Sequence, residues 1–369
     1  MSGYGCHNSE RSLKRKRSGM SDKVLMKGNE AIGEAAVIAG CTHYFAYPIT
    51  PQNEIPAYMA KRLPSVGGTF LQAESELAAI NMVFGAAAAG ARAMTSSSSP
   101  GISLKQEGIS YLAGAQLPAV VVNMMRGGPG LGNITGSQGD YWQATRGGGN
   151  GDYRTIVLAP ANVQELAELT VKAFDLADQY RMVVMILGDG YLGQMSEPLT
   201  LPEASGKTFE KKWALTGAKG REHNVIASLR LKPDGALEQH NLELQKLYRR
   251  VEEQENMWEN DRTDDADILL VSYGTSSRIS RSAVNRLRKS GIKAGLFRPI
   301  SLYPFPYDAL KAAAEGKKRI LVVEMSAGQM QEDVRLAIEG GIPIDGYFKL
   351  GGAIPEIDVI VEKVESYGK

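Results

Sequence analysis

The chain has 369 residues, 43% of them apolar, which is enough for two domains with full cores and excludes disorder as the default. Its formal charge of +1 argues against nucleic acid or an anionic membrane as the main partner, and no apolar run reaches the ~18 residues of a membrane span. The two cysteines, Cys6 and Cys41, exclude a disulfide framework and any four-cysteine iron–sulfur or zinc site within the chain, and the expected compartment is the reducing cytoplasm.

Residues 1–22 contain the basic run "ERSLKRKRSG" and no apolar stretch of the kind a secretory signal needs. A basic run of this sort can bind nucleic acid or act as a localisation patch. The reading adopted is a disordered extension, with the natural start near Met20.

From residue 23 the pattern alternates helix and strand. "KGNEAIGEAAVIAGC" reads as a helix of small residues, "HYFAYP" as a strand, and "QNEIPAYMAKRL" as a helix with Pro51 in its first turn. Pro56 is expected to kink or shorten that helix. "TFLQA" is a strand, "SELAAINMVFGAAAAG" a helix, "ARAMTS" a strand and "SLKQEGISYLAGAQ" a helix. "PAVVVNMM" is nearly continuous in apolar residues, as a buried parallel strand should be. A glycine-rich loop from Arg126 to Tyr153 reads as flexible and polar. "TIVLA", a helix from Asn162 to about Tyr180, and "MVVMILG" complete an α/β domain over 23–199 with a largely parallel sheet.

Residues 200–264 read as a linker. Its charged helix carries an apolar stripe through Leu242, Leu244, Leu247, Tyr248 and Val251, suited to lying over a domain surface. Residues 265–369 read as a second, smaller α/β domain.

In open α/β sheets ligands bind beyond the carboxyl ends of the strands, so the turns there hold the candidates. At the first, Thr50 sits before Pro51 at an expected N-cap, either a plain cap or a holder of an anion such as a carboxylate. At the second, Glu74 and Glu76 suit a helix N-terminus through its dipole, and a carboxylate there can also polarise a ligand nitrogen. At the third, "TSSSSPGIS" offers four serines, Ser97 and Ser98 among them, and a helix start, either a phosphate holder or a capped turn, without the order of a P-loop. At the fourth, Arg126 directly follows the buried strand, a costly place for a guanidinium unless it meets an anion. The long loop after it has the length of functional loops.

"GDG" at Gly188 to Gly190 has the start of a magnesium–diphosphate signature but lacks the Asn pair that completes it, so Asp189 reads as a turn residue. The histidines His7, His43, His223 and His240 are scattered, and neither a metal-ligand set nor a Ser–His–Asp arrangement is readable.

Taken together, "YPITP", "QAESE", "FGAAAAGARAMTSSSSPG", "MMRGGPGLGN" and "VVEMSAGQM" make the chain resemble the 2-oxoacid:ferredoxin oxidoreductases over nearly all of Met20 to Lys369. Within them it looks most like the alpha-type subunit of the branched-chain (2-oxoisovalerate) enzymes. The 2-oxoglutarate subunit is a near relative.

The resemblance implies a doubly wound, pyrimidine-type thiamine-diphosphate domain followed by a transketolase-C-terminal-like domain. It implies CoA-dependent oxidative decarboxylation of a 2-oxoacid with reduction of ferredoxin. Thiamine diphosphate would be shared with a diphosphate-binding beta-type subunit. Mg2+ and [4Fe-4S] clusters are expected on partners, which include a gamma-type subunit and a cysteine-rich ferredoxin-like subunit.

Glu76 then aligns with the glutamate that contacts N1′ of the aminopyrimidine. Thr50 aligns with the threonine that hydrogen-bonds the substrate's carboxylate or oxo group, and Arg126 with the arginine that holds the substrate carboxylate. Tyr47, Pro48, Ile49, Ser97 and Ser98 fall in cofactor-contacting segments. Two other readings are a lipoamide-linked dehydrogenase subunit, against which "YPITP" argues, and a non-catalytic nucleotide- or coenzyme-A-binding module on the same scaffold.

Overall fold

A computed structural model describes residues 23–368, and the extension expected over 1–22 lies outside them. The first part of the chain runs β1 (Val24–Lys27), α1 (Gly28–Ile38), β2 (His43–Ala46), α2 (Glu54–Ser65), β3 (Thr69–Gln72), α3 (Glu76–Ala88), β4 (Ala93–Ser97), α4 (Ser99–Gly114) and β5 (Ala119–Met125). It continues with α5 (Tyr141–Arg146), β6 (Ile156–Leu158), α6 (Val163–Tyr180), β7 (Val183–Asp189), α7 (Gly190–Gln194) and β8 (Ser196–Leu199). Then follow α8 (Ala236–Gln254), β9 (Trp258–Asp261), β10 (Ile268–Val271), α9 (Gly274–Lys289), β11 (Ala294–Pro299) and β12 (Ser301–Tyr303). The last elements are α10 (Tyr307–Ala314), β13 (Arg319–Glu324), α11 (Gln329–Ile338), β14 (Ile344–Phe348) and α12 (Ile357–Glu365). None of the described helices is long and apolar enough to cross a membrane.

The larger sheet has the order β12–β6–β7–β5–β4–β2–β3, parallel except at β12. Strand β5 explains why it is covered twice. Val120, Val122 and Met124 join a cluster with α1, α2 and α6, while Val121 and Met125 join α3 and α4 on the other face. The second cluster runs on into the smaller sheet through Leu269, Val271, Phe297 and Val322, so the two units share one apolar core. The smaller sheet has the order β14–β13–β10–β11–β9.

Several expectations need correction. Pro56 does not end α2, which runs on to Ser65; as the helix's third residue it lacks an N–H that would have no intrahelical partner there. The span expected as a linker contributes β9, which pairs antiparallel with β11. Ser301–Tyr303, expected in the smaller domain, instead extends the larger sheet by pairing with β6. Of the stripe on α8, Leu244, Tyr248 and Val251 are buried against the larger domain, while Leu242 is 51% exposed.

The loop from Arg126 to Tyr153 is not merely a polar excursion. It contains α5, and Gln138 lies wholly buried between the units. Gln138 Nε2 donates to Tyr273 O at 2.9 Å, and its Oε1 accepts from Ser276 Oγ and Met325 N, both at 2.8 Å. Arg146 and Tyr141 both bond the buried carboxylate of Asp333 on α11.

Candidate functional site

The carboxyl ends of β2, β3, β4, β5 and β7 lie along one edge of the larger sheet, since these strands are mutually parallel. That edge therefore carries all the predicted residues, and they fall into two adjoining groups.

The first group surrounds Glu76. Ser75 caps α3, its Oγ accepting from Ala78 N at 3.1 Å, so Glu76 opens the helix and is 6% exposed. Its carboxylate lies against α4. A Cβ added to Gly101 would stand 2.6 Å from Glu76 Oε1 and 2.1 Å from Ser97 Oγ, so this helical position has room only for glycine. Ser97 Oγ and Ser98 Oγ are buried and have no hydrogen-bond partner among the described residues. Lys105, one turn beyond Gly101 and wholly buried, donates from Nζ to Glu76 O at 3.3 Å. Burial pushes its ammonium down to about 8, with the charge of Glu76 working in the opposite direction. Glu74 is exposed and stands apart.

Gly101→Ala should lower the free energy of unfolding by about 1–3 kcal/mol, the usual cost of an overpacked site. Denaturant unfolding of the chain measures this, and unchanged stability would contradict the packing of Glu76 against α4.

The second group surrounds Thr50. The structure corrects the expected N-cap: α2 begins at Glu54 with Asn53 before it, and Thr50 lies in a separate turn ahead of it. The cause is local. The turn closes on itself by Gln52 N→Ile49 O at 3.1 Å, and Pro51 O is occupied by Asn29 Nδ2 and Gln194 Nε2 at 2.8 and 3.0 Å. Among the described residues Thr50 Oγ1 accepts only from Asn53 Nδ2, at 3.3 Å, and the residue is exposed. Beneath the turn, Tyr44, Ser96 and the side chain of Gln52 form a buried hydrogen-bonded chain that ties it to β4. Tyr47 and Pro48 are exposed beside it and Ile49 is half-buried.

Arg126 joins the two groups. Its backbone N–H donates to Ser99 Oγ at 3.0 Å, next to Ser98. Its guanidinium is held by Nη1→Thr50 O and Nη2→Leu131 O, both 3.0 Å. The residue is 7% exposed, its Nε has no partner, and among the described residues no carboxylate pairs with it. A guanidinium so placed is oriented but not neutralised, and can accept an anion. Asp189, read as a turn residue, caps α7 by accepting from Tyr191 N and Leu192 N.

Beside Thr50 opens a cavity of about 740 Å³ lined by Pro51, Glu54, Ile134, Tyr191 and Met195 among others. Sequence reasoning missed this cavity, and also Gly101, Lys105 and Asp140. Asp140, deep in the long loop, accepts from Ser99 Oγ at 2.6 Å and Asn123 Nδ2 at 2.9 Å, and burial raises its pKa against those bonds. The four-residue step from Gly101 to Lys105 places both on one face of α4, a signal that was available; nothing local marked Asp140.

Residues 34–264 match the family described as pyruvate flavodoxin/ferredoxin oxidoreductase, thiamine diphosphate-binding, and residues 266–360 match pyruvate:ferredoxin oxidoreductase core domain II. The chain is 52% identical over 341 residues to the ketoisovalerate oxidoreductase subunit VorB of Methanothermobacter thermautotrophicus, covering 92% of this chain and 96% of that one. It is 39% identical to the 2-oxoglutarate synthase subunit KorA of Archaeoglobus fulgidus, over 84% of this chain and 90% of that one. Among solved structures, the 2-oxoglutarate:ferredoxin oxidoreductase from Magnetococcus marinus superposes with a TM-score of 0.85 at 29% identity. That match covers 95% of this chain, which spans 66% of the other's length.

Proposed function

The chain belongs to the pyruvate flavodoxin/ferredoxin oxidoreductase family, and on that basis we propose that it is the pyrimidine-binding, alpha-type subunit of a thiamine-diphosphate-dependent 2-oxoacid:ferredoxin oxidoreductase acting on branched-chain 2-oxoacids. The reaction is the CoA-dependent oxidative decarboxylation of the 2-oxoacid to an acyl-CoA and CO2, with electrons passed to ferredoxin. The observation that carries the reading is Arg126, a buried guanidinium aimed by two carbonyl oxygens next to Thr50 and, among the described residues, without a carboxylate partner.

The residues present fit the cofactor's aminopyrimidine. A nearly buried carboxylate, two buried hydroxyls without partners and a helix turn that tolerates no Cβ lie together. Thiamine diphosphate, when bound, supplies the carbon nucleophile that adds to the 2-oxo group. Glu76 would hold a proton against the aminopyrimidine ring, the acid–base role a positioned carboxylate can fill. Ser97 Oγ and Ser98 Oγ are free to bond the ring, and Tyr47, Pro48 and Ile49 line its approach. Arg126 and Thr50 orient the substrate carboxylate. In this reading the pyrimidine-binding unit is 23–199 extended by Ser301–Tyr303, the connector is 200–257, and the rest of 258–369 is the smaller unit.

Two cysteines cannot supply four thiolates, so iron–sulfur clusters belong on partner chains. We assign the clusters, Mg2+ and the diphosphate grip to beta-type, gamma-type and ferredoxin-like subunits in the cytoplasm. The test is purification with native partners followed by a panel of 2-oxoacids. Higher kcat/KM for 2-oxoisovalerate than for 2-oxoglutarate or pyruvate is expected, and a preference for 2-oxoglutarate would overturn the substrate assignment.

A further inference from the structure

We infer that the cavity beside Thr50 receives the side chain of the 2-oxoacid, and that Glu54 is the residue that turns away carboxylate-bearing side chains. The inference rests on the reading above, in which the substrate's own carboxylate meets Arg126 and Thr50. Arg126 bonds Thr50 O directly, and Thr50 is part of the cavity wall, so a substrate anchored there points its other end into this space.

Size does not select among substrates here. About 740 Å³ far exceeds a five-carbon acid, and a 2-oxoacid with a distal carboxylate would also fit. Selection must therefore come from chemistry. Pro51, Ile134, Tyr191 and Met195 make much of the wall apolar, and among the described residues no Lys, Arg or His lines it and Glu54 is its one Asp or Glu.

Glu54 is built to stay ionised. Its Oε2 accepts from Asn29 Nδ2 and from Gln194 Nε2, both at 2.8 Å, and Lys27 Nζ stands 3.4 Å from Oε1. Burial works to raise its pKa, but these hydrogen bonds, together with that from its own backbone N–H, outweigh it and hold the carboxyl below its ordinary value. Lys27 does not line the cavity, so the incoming group meets the anion and not its partner. An apolar branched chain can pack on Pro51, Ile134, Tyr191 and Met195, whereas a distal carboxylate finds a like charge and no cation in the wall itself. This is exclusion of the wrong substrate as much as attraction of the right one.

The test uses the assembled complex and kcat/KM for 2-oxoglutarate relative to 2-oxoisovalerate. Glu54→Gln, which removes the anion, and Ile134→Lys, which adds a cation on a different element, should each raise that ratio by about tenfold, with a larger rise in the double variant. Ile134 is 60% exposed on its loop, so its variant remains informative if a change in α2 impairs folding. Complexes that oxidise 2-oxoisovalerate while the ratio stays unchanged in both single variants would overturn this inference and leave the family reading standing. A wild-type complex that oxidises no 2-oxoacid would overturn both.

Discussion

Replacing Glu76 by Gln in the assembled complex should lower kcat by roughly 10²–10⁴-fold, the range a positioned acid–base group supplies. The substitution keeps the shape of a side chain packed against Gly101 and Ser97 Oγ, so the fold and subunit assembly should survive. What it removes is a proton acceptor at the first position of α3, where Ser75 and the surrounding core fix its direction. Steady-state kinetics on wild-type and variant complexes, matched for thiamine diphosphate content, decide the point. Turnover near that of the wild type would remove Glu76 from the chemistry.

Arg126→Ala carries the second large effect. Truncating one partner of a buried charged hydrogen-bonded pair costs roughly 2–5 kcal/mol, which is about 30- to 4,000-fold in kcat/KM. The variant also leaves Thr50 O and Leu131 O without their donor, so part of the loss comes from a loosened turn. Arg126→Lys separates the two causes. Lysine keeps the charge but cannot span two carbonyls and a carboxylate from one planar fork, so its kcat/KM should fall between wild type and Ala. Equal kcat/KM in all three proteins would show that the guanidinium does not meet the substrate.

The legible part of this molecule was its parallel sheet and the edge along which ligands gather. Runs such as "PAVVVNMM" are apolar on both faces, and that composition alone demands cover above and below. Once the strand order is parallel, Thr50, Glu76, Ser97 and Arg126 must come to the same edge, however far apart in the chain.

The rest depended on contacts with no local signature. Ser301–Tyr303 reads as part of the smaller unit by position, yet its partner is β6, more than a hundred residues earlier. Gln138 looks like any loop glutamine until three groups from the smaller unit converge on its amide. The start of α2 was misplaced because "TP" resembles a cap followed by a first-turn proline. The bonds that hold Pro51 O come from Asn29 and Gln194, on elements at opposite ends of the domain's sequence. The same two residues fix Glu54, so the polarity of the cavity is a tertiary property with no marker in the motif itself.

On the reading proposed above, this chain is one half of a thiamine site completed by partner subunits. The most direct test follows viologen reduction with the lone chain and with the chain co-purified with its partners, each supplied with thiamine diphosphate and Mg2+. The lone chain should give no reduction. The complex should reduce the dye only when 2-oxoisovalerate and coenzyme A are both present. Dye reduction by the lone chain, or by the complex without a 2-oxoacid or without coenzyme A, would contradict that reading.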